Sequence, residues 1–392
     1  MATQNLDIEI SKETKAMLKE VAKFTGDLLR VSGVELDKVE NFLELTKEDS
    51  SLWKVFKAYR ELDLHLLHIP SDMGGVDGLE GVTPLLIKEQ MGYADVGLAM
   101  SLLVSDIPFI YAAKALSPEL QKLAGSYCED RGAKMIGCLI MKDHPHAGSP
   151  LNAVKEKDSF LLNGIMERVA NGNIATHALI HNEFSKNGEE TGAAIAVIPL
   201  DLPGIKRGEP LNKMGQRSLN QGSITFKNVR ISAAYLLTDD RVVANQMKKS
   251  IAVMSVLDTG ILYSGLAMAA LDEARKYAID RIQGGVPIIE HKNIKLKLFK
   301  LFQMVESSRA YARRIANYQF YHPLPPQEVH AAALKCMATQ TASEVSSEVI
   351  QIFGGNGLAK EYPVEKLFRD AQTGLVENGV NDWLAIRAAD YL

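Results

Sequence analysis

Two groups of residues in this chain have the types and spacing to handle a phosphate-bearing ligand. Gly354-Gly355-Asn356-Gly357 follows a long helical pattern. Glycines there let backbone N–H groups approach a phosphate, although the same run also reads as a helix C-cap with a turn. Arg281-Ile282-Gln283-Gly284-Gly285 closes a long apolar segment. Its arginine suits either a helix C-terminus or a bidentate grip on a pyrophosphate.

Other chemistries find less support. His144 with His146, and His177 with His181, could suggest a metal. No acidic or cysteine partner sits at ligand spacing and HExxH is absent, so these read as solvated or hydrogen-bonded histidines, with no metal expected. There is no GxGxxG after a strand, no GxxxxGK[ST] and no GxSxG, which leaves Rossmann, P-loop and nucleophile-elbow sites unsupported. Cys128, Cys138 and Cys336 are far apart. They predict no disulfide framework or zinc ribbon and fit a reducing compartment, hence a cytoplasmic location.

The elements that must position these residues fall into three blocks: 1–132 helical, 133–236 rich in strands, 237–392 helical again. Leu52, Val55, Phe56, Tyr59 and Leu62 recur at helix spacing, with Asp49, Ser50 or Ser51 as cap. Further helices run from about 81 to 130, broken at Pro108 and Pro118. In the middle block, short apolar runs alternate with Asn163-Gly164, Asn171-Gly172, Asn187-Gly188 and Pro203-Gly204. That pattern predicts antiparallel strands joined by tight turns. Long helices are expected over 240–282, 291–320 and 326–352. Helices, strands, then helices is an α+β arrangement.

Composition sets outer bounds. The chain has 392 residues, with 46% apolar and 23% charged, which excludes wholesale disorder. Lys plus Arg is 44 against 48 Asp plus Glu, a net charge of −4. No basic footprint for nucleic acid or anionic membrane follows. The apolar stretch from Ser250 to Leu271 is interrupted by Asp258, Gly260 and Gly265, and predicts a buried helix rather than a membrane span. The N-terminus lacks an apolar core for a signal peptide.

In order and spacing, these segments resemble the acyl-CoA dehydrogenase flavoproteins over essentially the whole chain. Ile69-Pro70-Ser71-Asp72-Met73-Gly74-Gly75 is similar to "IPEEYGG", and Lys213-Met214-Gly215-Gln216-Arg217 to "KMGQR". Arg281 to Ile288 is similar to "RKQFGKPI". Gln351 to Ala371 is similar to "QIHGGYGYTREYPVERLYRDA". The resemblance implies an N-terminal helical domain, a middle β domain, a C-terminal four-helix bundle and a homotetramer. It implies FAD, an acyl-CoA substrate and an electron-transferring flavoprotein as acceptor. Arg281 and Gln283 would hold the FAD of a neighbouring subunit, with Gln351, Gly354 and Gly355 completing the grip. Ile140, Met141, Val169 and Ala170 would line the isoalloxazine, and Ser149 would meet the thioester arm.

The departures carry the most information. The family's "WIT" is Arg168-Val169-Ala170, which removes a threonine hydroxyl near flavin N5. The loop holding His144 and His146 has about two extra residues. The catalytic glutamate of "YEGT" aligns with Asn378, in Glu377-Asn378-Gly379-Val380. An amide keeps its backbone N–H as an oxyanion donor but cannot accept the α-proton at neutral pH.

Three readings follow. The base has moved to serve a more distant carbon, as in the cyclic-diene-forming dehydrogenases of cyclohex-1-ene-1-carboxyl-CoA, which use 1,4-elimination. Asp95 is then the candidate base, with a helix N-cap as its competing role and Glu89 and Asp106 as weaker candidates. Alternatively Glu377 serves as base in ordinary α,β-dehydrogenation, although neighbouring helical residues differ by about 100° in direction. The third reading is a flavin oxidase, monooxygenase or non-catalytic flavin-binding subunit. The first is the leading expectation.

Overall fold

The protein is seen in a computed structural model, which describes residues 10–76, 79, 81–141, 151–156, 159–186, 189–321 and 328–392. Helices come first: α1 (Lys12–Phe24), α2 (Arg30–Asp37), α3 (Ser51–Glu61), α4 (Thr83–Ala94), α5 (Val96–Ala113) and α6 (Pro118–Cys128). Strands follow: β1 (Gly137–Ile140), β2 (Asn152–Lys155), β3 (Ser159–Ala170), β4 (His177–Lys186), β5 (Glu189–Pro199), β6 (Ile205–Arg207), β7 (Gln221–Ser232) and β8 (Leu236–Thr238). The chain then forms α7 (Arg241–Asp280), a hairpin of β9 (Ile282–Gln283) and β10 (Val286–Pro287), α8 (Lys292–Tyr321), α9 (Glu328–Phe353), α10 (Val364–Gly374) and α11 (Asn381–Ala389). The arrangement is α+β, as the alternation of patterns predicts.

Local chemistry explains the starts. Ser50, Ser117 and Asp240 cap α3, α6 and α7 by accepting from backbone N–H groups inside each first turn. Pro118 sits at the first position of α6, where its missing N–H costs nothing. Pro108 does not end α5 as expected; the helix runs through it to Ala113. Its ring packs over Gly137, where a Cβ would lie 2.5 Å from Pro108 Cδ. This close packing against β1 accompanies a continuous helix.

The sheet has the order β6-β7-β3-β2-β4-β5-β8, with β1 paired to β4. It is antiparallel except that β1 and β2 run parallel to β4, a departure from the expected purely antiparallel domain. The backbone N–H groups of Thr176 and His177 both donate to Ile136 O, which sets β1 and β4 side by side in the same direction. Asn163-Gly164 is not a turn. It lies inside β3 at a register shift against β7, with Gly164 at φ 133°. Glycine supplies the conformation of a bulge there. Asn187-Gly188 falls outside the described residues.

The helices before and after the sheet share one apolar core, which includes Phe56, Ile87, Met91, Leu102, Leu262, Leu266, Val305 and Val349. α4 and α7 touch backbone to backbone. A Cβ on Gly92 would lie 2.2 Å from Leu262 O, and one on Gly265 would lie 2.2 Å from Glu89 O. α5 and α7 are long and apolar enough to cross a membrane, but 72% of each apolar window is buried inside the protein. A second core fills the sheet, and a third joins α5 and α6 to β4 and β5 through Phe109, Tyr127, Leu179 and Val197.

Three histidines are enclosed in these layers. Burial pushes the pKa of His65 down to about 3, and those of His177 and His181 to about 4. The folded chain therefore keeps these rings neutral to about pH 4, whereas the unfolded chain protonates them near pH 6.5. Unfolding takes up protons across that interval, so stability falls as pH falls from about 6.5 towards 4. Urea unfolding midpoints measured across that range should decline, and His181→Gln should reduce the slope.

Candidate active site

A cleft of ≈ 420 Å³ opens between β1, α7, α9 and the segment after α10. Its floor is apolar: Leu139, Met141, Val253, Val256, Trp383 and Leu384. Its mouth carries Lys248, Lys249 and Arg387 against Glu328, the one lining carboxylate among the described residues. Glu328 pairs with Lys249 at 2.9 Å and with Arg387 at 2.6 Å. Lys248 pairs with Glu183 at 3.5 Å, which leaves three cations against two carboxylates; the remaining positive charge suits a phosphorylated ligand arm, and the apolar lining suits an acyl chain.

Asn378 lines this cleft. It sits at φ 49° and is followed by Gly379 at φ 111°. Asparagine tolerates the left-handed region better than most side chains, which suits it to so tight a reversal. Its Nδ2 donates to Thr259 Oγ1 at 2.8 Å and reaches Ser255 O at 3.5 Å. Below the loop, Lys335 is fully buried and donates to Gly379 O at 2.6 Å and Asn381 Oδ1 at 2.8 Å. Burial lowers the Lys335 pKa to about 8. Neither the Asn378 N–H nor its Oδ1 has a partner among the described residues.

The carboxylates singled out in the sequence do not line this cleft. Asp95 is the N-cap of α5 and is 3% exposed. Its Oδ1 accepts from Leu98 N at 2.8 Å and Ser218 Oγ at 2.6 Å, and its Oδ2 pairs with Lys366 at 2.6 Å. Both oxygens are engaged, as a cap and as an ion-pair partner, and Asp95 does not line this cleft. The side chain of Glu377 turns away from Asn378. It accepts from Gln216 Nε2 at 2.6 Å and from Tyr263 OH at 3.2 Å. Burial raises its pKa, against the opposing Gln216 bond and the Lys213 charge. Glu89 is clamped by Arg309, and Asp106 by Tyr59 and Tyr127.

Of the residues expected against an isoalloxazine, only Met141 lines the cleft. Ile140 and Val169 belong to the core of the sheet, and Ala170 packs at the edge of the helical core. Ser149 lies outside the described residues, as do His144 and His146. The other group does come together. Arg281, Gln283, Gln351, Gly354 and Gly355 line a separate cleft of ≈ 610 Å³ between the end of α7, the β9–β10 hairpin and the turn after α9.

That second cleft fits the phosphate arm of FAD. Among the described residues no Asp or Glu lines it, and Arg281 supplies a cation. Gly354 stands at φ 60°, and a Cβ on Gly354 or Gly355 would meet nothing within 4 Å, so the backbone is open to a ligand.

Comparison with known proteins fixes the scaffold. Residues 255–390 match the family profile "Acyl-CoA dehydrogenase, C-terminal domain". Butyryl-CoA dehydrogenase from Megasphaera elsdenii superposes with a TM-score of 0.84 over 98% of this chain and 99% of that one, at 22% identity. This is the acyl-CoA dehydrogenase fold. In sequence the chain is 27% identical to a probable acyl-CoA dehydrogenase, YngJ, of Bacillus subtilis, covering 96% of this chain and 97% of that one. It is also 27% identical to the mitochondrial short-chain specific acyl-CoA dehydrogenase of Rattus norvegicus, covering 89% and 84%. Over its C-terminal part the chain is similar to the family profile, and over most of its length it is similar to these acyl-CoA dehydrogenases.

Several participants escape a reading of the sequence. Ser255, Thr259 and Tyr263 recur every four residues and so share one face of α7. The first two hold Asn378, and the third holds Glu377. That spacing was a usable signal. Lys335, buried 44 residues before the carbonyl it holds, left none.

Proposed function

We propose that this chain is a flavin-dependent oxidoreductase of the acyl-CoA dehydrogenase type, which binds an acyl-CoA thioester with the carbonyl against the Asn378 N–H. The supporting observation is that unpartnered N–H at an apolar cleft with a cationic mouth. The floor holds the acyl group and excludes water from it. Lys248, Lys249 and Arg387 attract the phosphates of the carrier. The Asn378 N–H polarises the carbonyl and stabilises negative charge developing on its oxygen. Bound FAD would supply the hydride acceptor, and Arg281, Gln283, Gln351 and the Gly354-Gly355 backbone would hold the FAD of a neighbouring subunit.

The amide of Asn378 takes no proton at neutral pH. The substrate is therefore one whose proton leaves without a carboxylate beside the thioester. The narrower form, 1,4-elimination from cyclohex-1-ene-1-carboxyl-CoA, needs a carboxylate near the distant ring carbon. The surroundings of Asp95 do not favour it for that task, and Glu377 would have to leave Gln216 and Tyr263 to serve instead. We assign electron-transferring flavoprotein as acceptor and a homotetramer as assembly. The exposed Leu296, Phe299 and Phe302 on α8 support the latter, since a second copy would cover them.

Anaerobic mixing of the FAD-loaded protein with butyryl-, cyclohexanecarboxyl- and cyclohex-1-ene-1-carboxyl-CoA tests the assignment. Each should perturb the flavin spectrum on binding. Butyryl-CoA should bleach it about 10²–10⁴ times more slowly than in an enzyme carrying a working general base. No spectral response to any thioester would overturn the proposal, and rapid bleaching by butyryl-CoA would return the base role to Glu377.

A further inference from the structure

The orientation of the Asn378 amide is fixed by its surroundings. Ser255 O is a carbonyl and can only accept. As placed, Thr259 Oγ1 donates its hydrogen to Ser255 O at 2.8 Å and accepts from Asn378. The NH2 of Asn378 faces α7, and a flipped amide would set Oδ1 against Ser255 O. Its Oδ1 is left without a partner among the described residues, on a residue that lines the cleft. Asn378 thus offers two unmet groups at once: a backbone N–H that donates and a side-chain oxygen that accepts.

A donor and an acceptor on one residue match a ligand with the converse pair on adjacent atoms. A thioester carbonyl accepts, and a hydroxyl on the next carbon donates. We propose that the cleft selects 2-hydroxyacyl thioesters, with the carbonyl on the Asn378 N–H and the 2-hydroxyl on Asn378 Oδ1. An ammonium at the same carbon would also donate, but its charge would be costly to bring against the apolar lining, and the neutral hydroxyl carries no such cost. A carboxylate in place of the amide would accept equally well but would also remove a proton. The amide binds the hydroxyl and leaves the neighbouring C–H alone. This inference rests on the thioester reading above and narrows its substrate.

The test is equilibrium binding, read by calorimetry and by perturbation of the flavin spectrum, using the FAD-loaded protein. Butyryl-CoA, 2-hydroxybutyryl-CoA as both enantiomers, and 2-methoxybutyryl-CoA are titrated in turn. The methoxy compound retains the oxygen and lacks the donor. One hydroxybutyryl enantiomer should bind about tenfold more tightly than the methoxy compound, the gain from one hydrogen bond that would otherwise leave a cleft acceptor unmet. Asn378→Gly keeps the positive φ and removes the amide. In it the two ligands should bind within about twofold of each other. Equal binding of hydroxy and methoxy ligands to the unaltered protein would overturn the selection alone. Survival of the preference in Asn378→Gly would do the same. Failure of every thioester to bind would remove the thioester reading itself.

Discussion

Asn378→Glu should create a base where the chain now has none. A glutamate at this position would reach into the cleft from the loop that Lys335 holds, and Ser255 O would repel it towards the ligand. General base catalysis typically contributes 10²–10⁴-fold. Flavin reduction by butyryl-CoA should accordingly rise by at least about 10²-fold over the unaltered protein. The substitution costs stability, because glutamate tolerates φ 49° less well than asparagine and the bonds to Thr259 and Ser255 are lost. The two effects together come to about 1–3 kcal/mol. Stopped-flow reduction with both proteins checks the gain. Asn378→Gln controls for side-chain length and should show none.

The second large effect concerns the charges beneath the site. Lys366 lies between Asp95 Oδ2 at 2.6 Å and Asp370 Oδ2 at 2.5 Å, and all three are buried. Asp370 also accepts from the backbone of Gln216. This cluster ties α5, the segment before β7 and α10 together. Burial raises the pKa of Asp370, against the attraction of Lys366. Lys366→Met leaves two carboxylates facing each other without a cation. Breaking a buried pair from one side costs about 3–5 kcal/mol, and the protein should lose that much in urea unfolding or fail to fold. Asp95→Asn is the milder and more discriminating change. It should lower stability while the folded, FAD-bound fraction keeps its turnover within a few-fold. Loss of turnover with unchanged stability would reinstate Asp95 as a base.

Much of the architecture was legible because it rests on local rules. The order of helical and strand blocks followed from periodicity. Ser50 acted as a cap, and Arg281 met Gly354 and Gly355 in one cleft. The Asp95 side chain was also half legible, since an acidic residue before an apolar run reads as an N-cap. Its second oxygen is held by Lys366, 271 residues away, and no local pattern announces such a partner. Asn163-Gly164 misled for a related reason. The pair has the chemistry of a turn, yet the pairing of β3 with β7 continues past it and absorbs it as a bulge. Pro108 likewise lost to packing against Gly137. The candidate site was readable where the resemblance supplied an aligned position, as with the amide at 378. It was hidden where distant segments had to meet, as with Lys335 and the α7 face of Ser255, Thr259 and Tyr263.

The claim on which the rest depends is that nothing at residue 378 removes a proton from the carbon beside the thioester. Exchange of that hydrogen for solvent deuterium reports on it without requiring any oxidation. The FAD-loaded protein should be incubated with an excess of a saturated acyl-CoA analogue that cannot be dehydrogenated, in D2O near neutral pH. Proton NMR should show loss of the α-hydrogen signal no faster than in buffer, whereas Asn378→Glu should exchange it at least about 10²-fold faster. Rapid exchange by the unaltered protein would contradict the account, because a base would then be reaching the α-carbon despite the amide at 378.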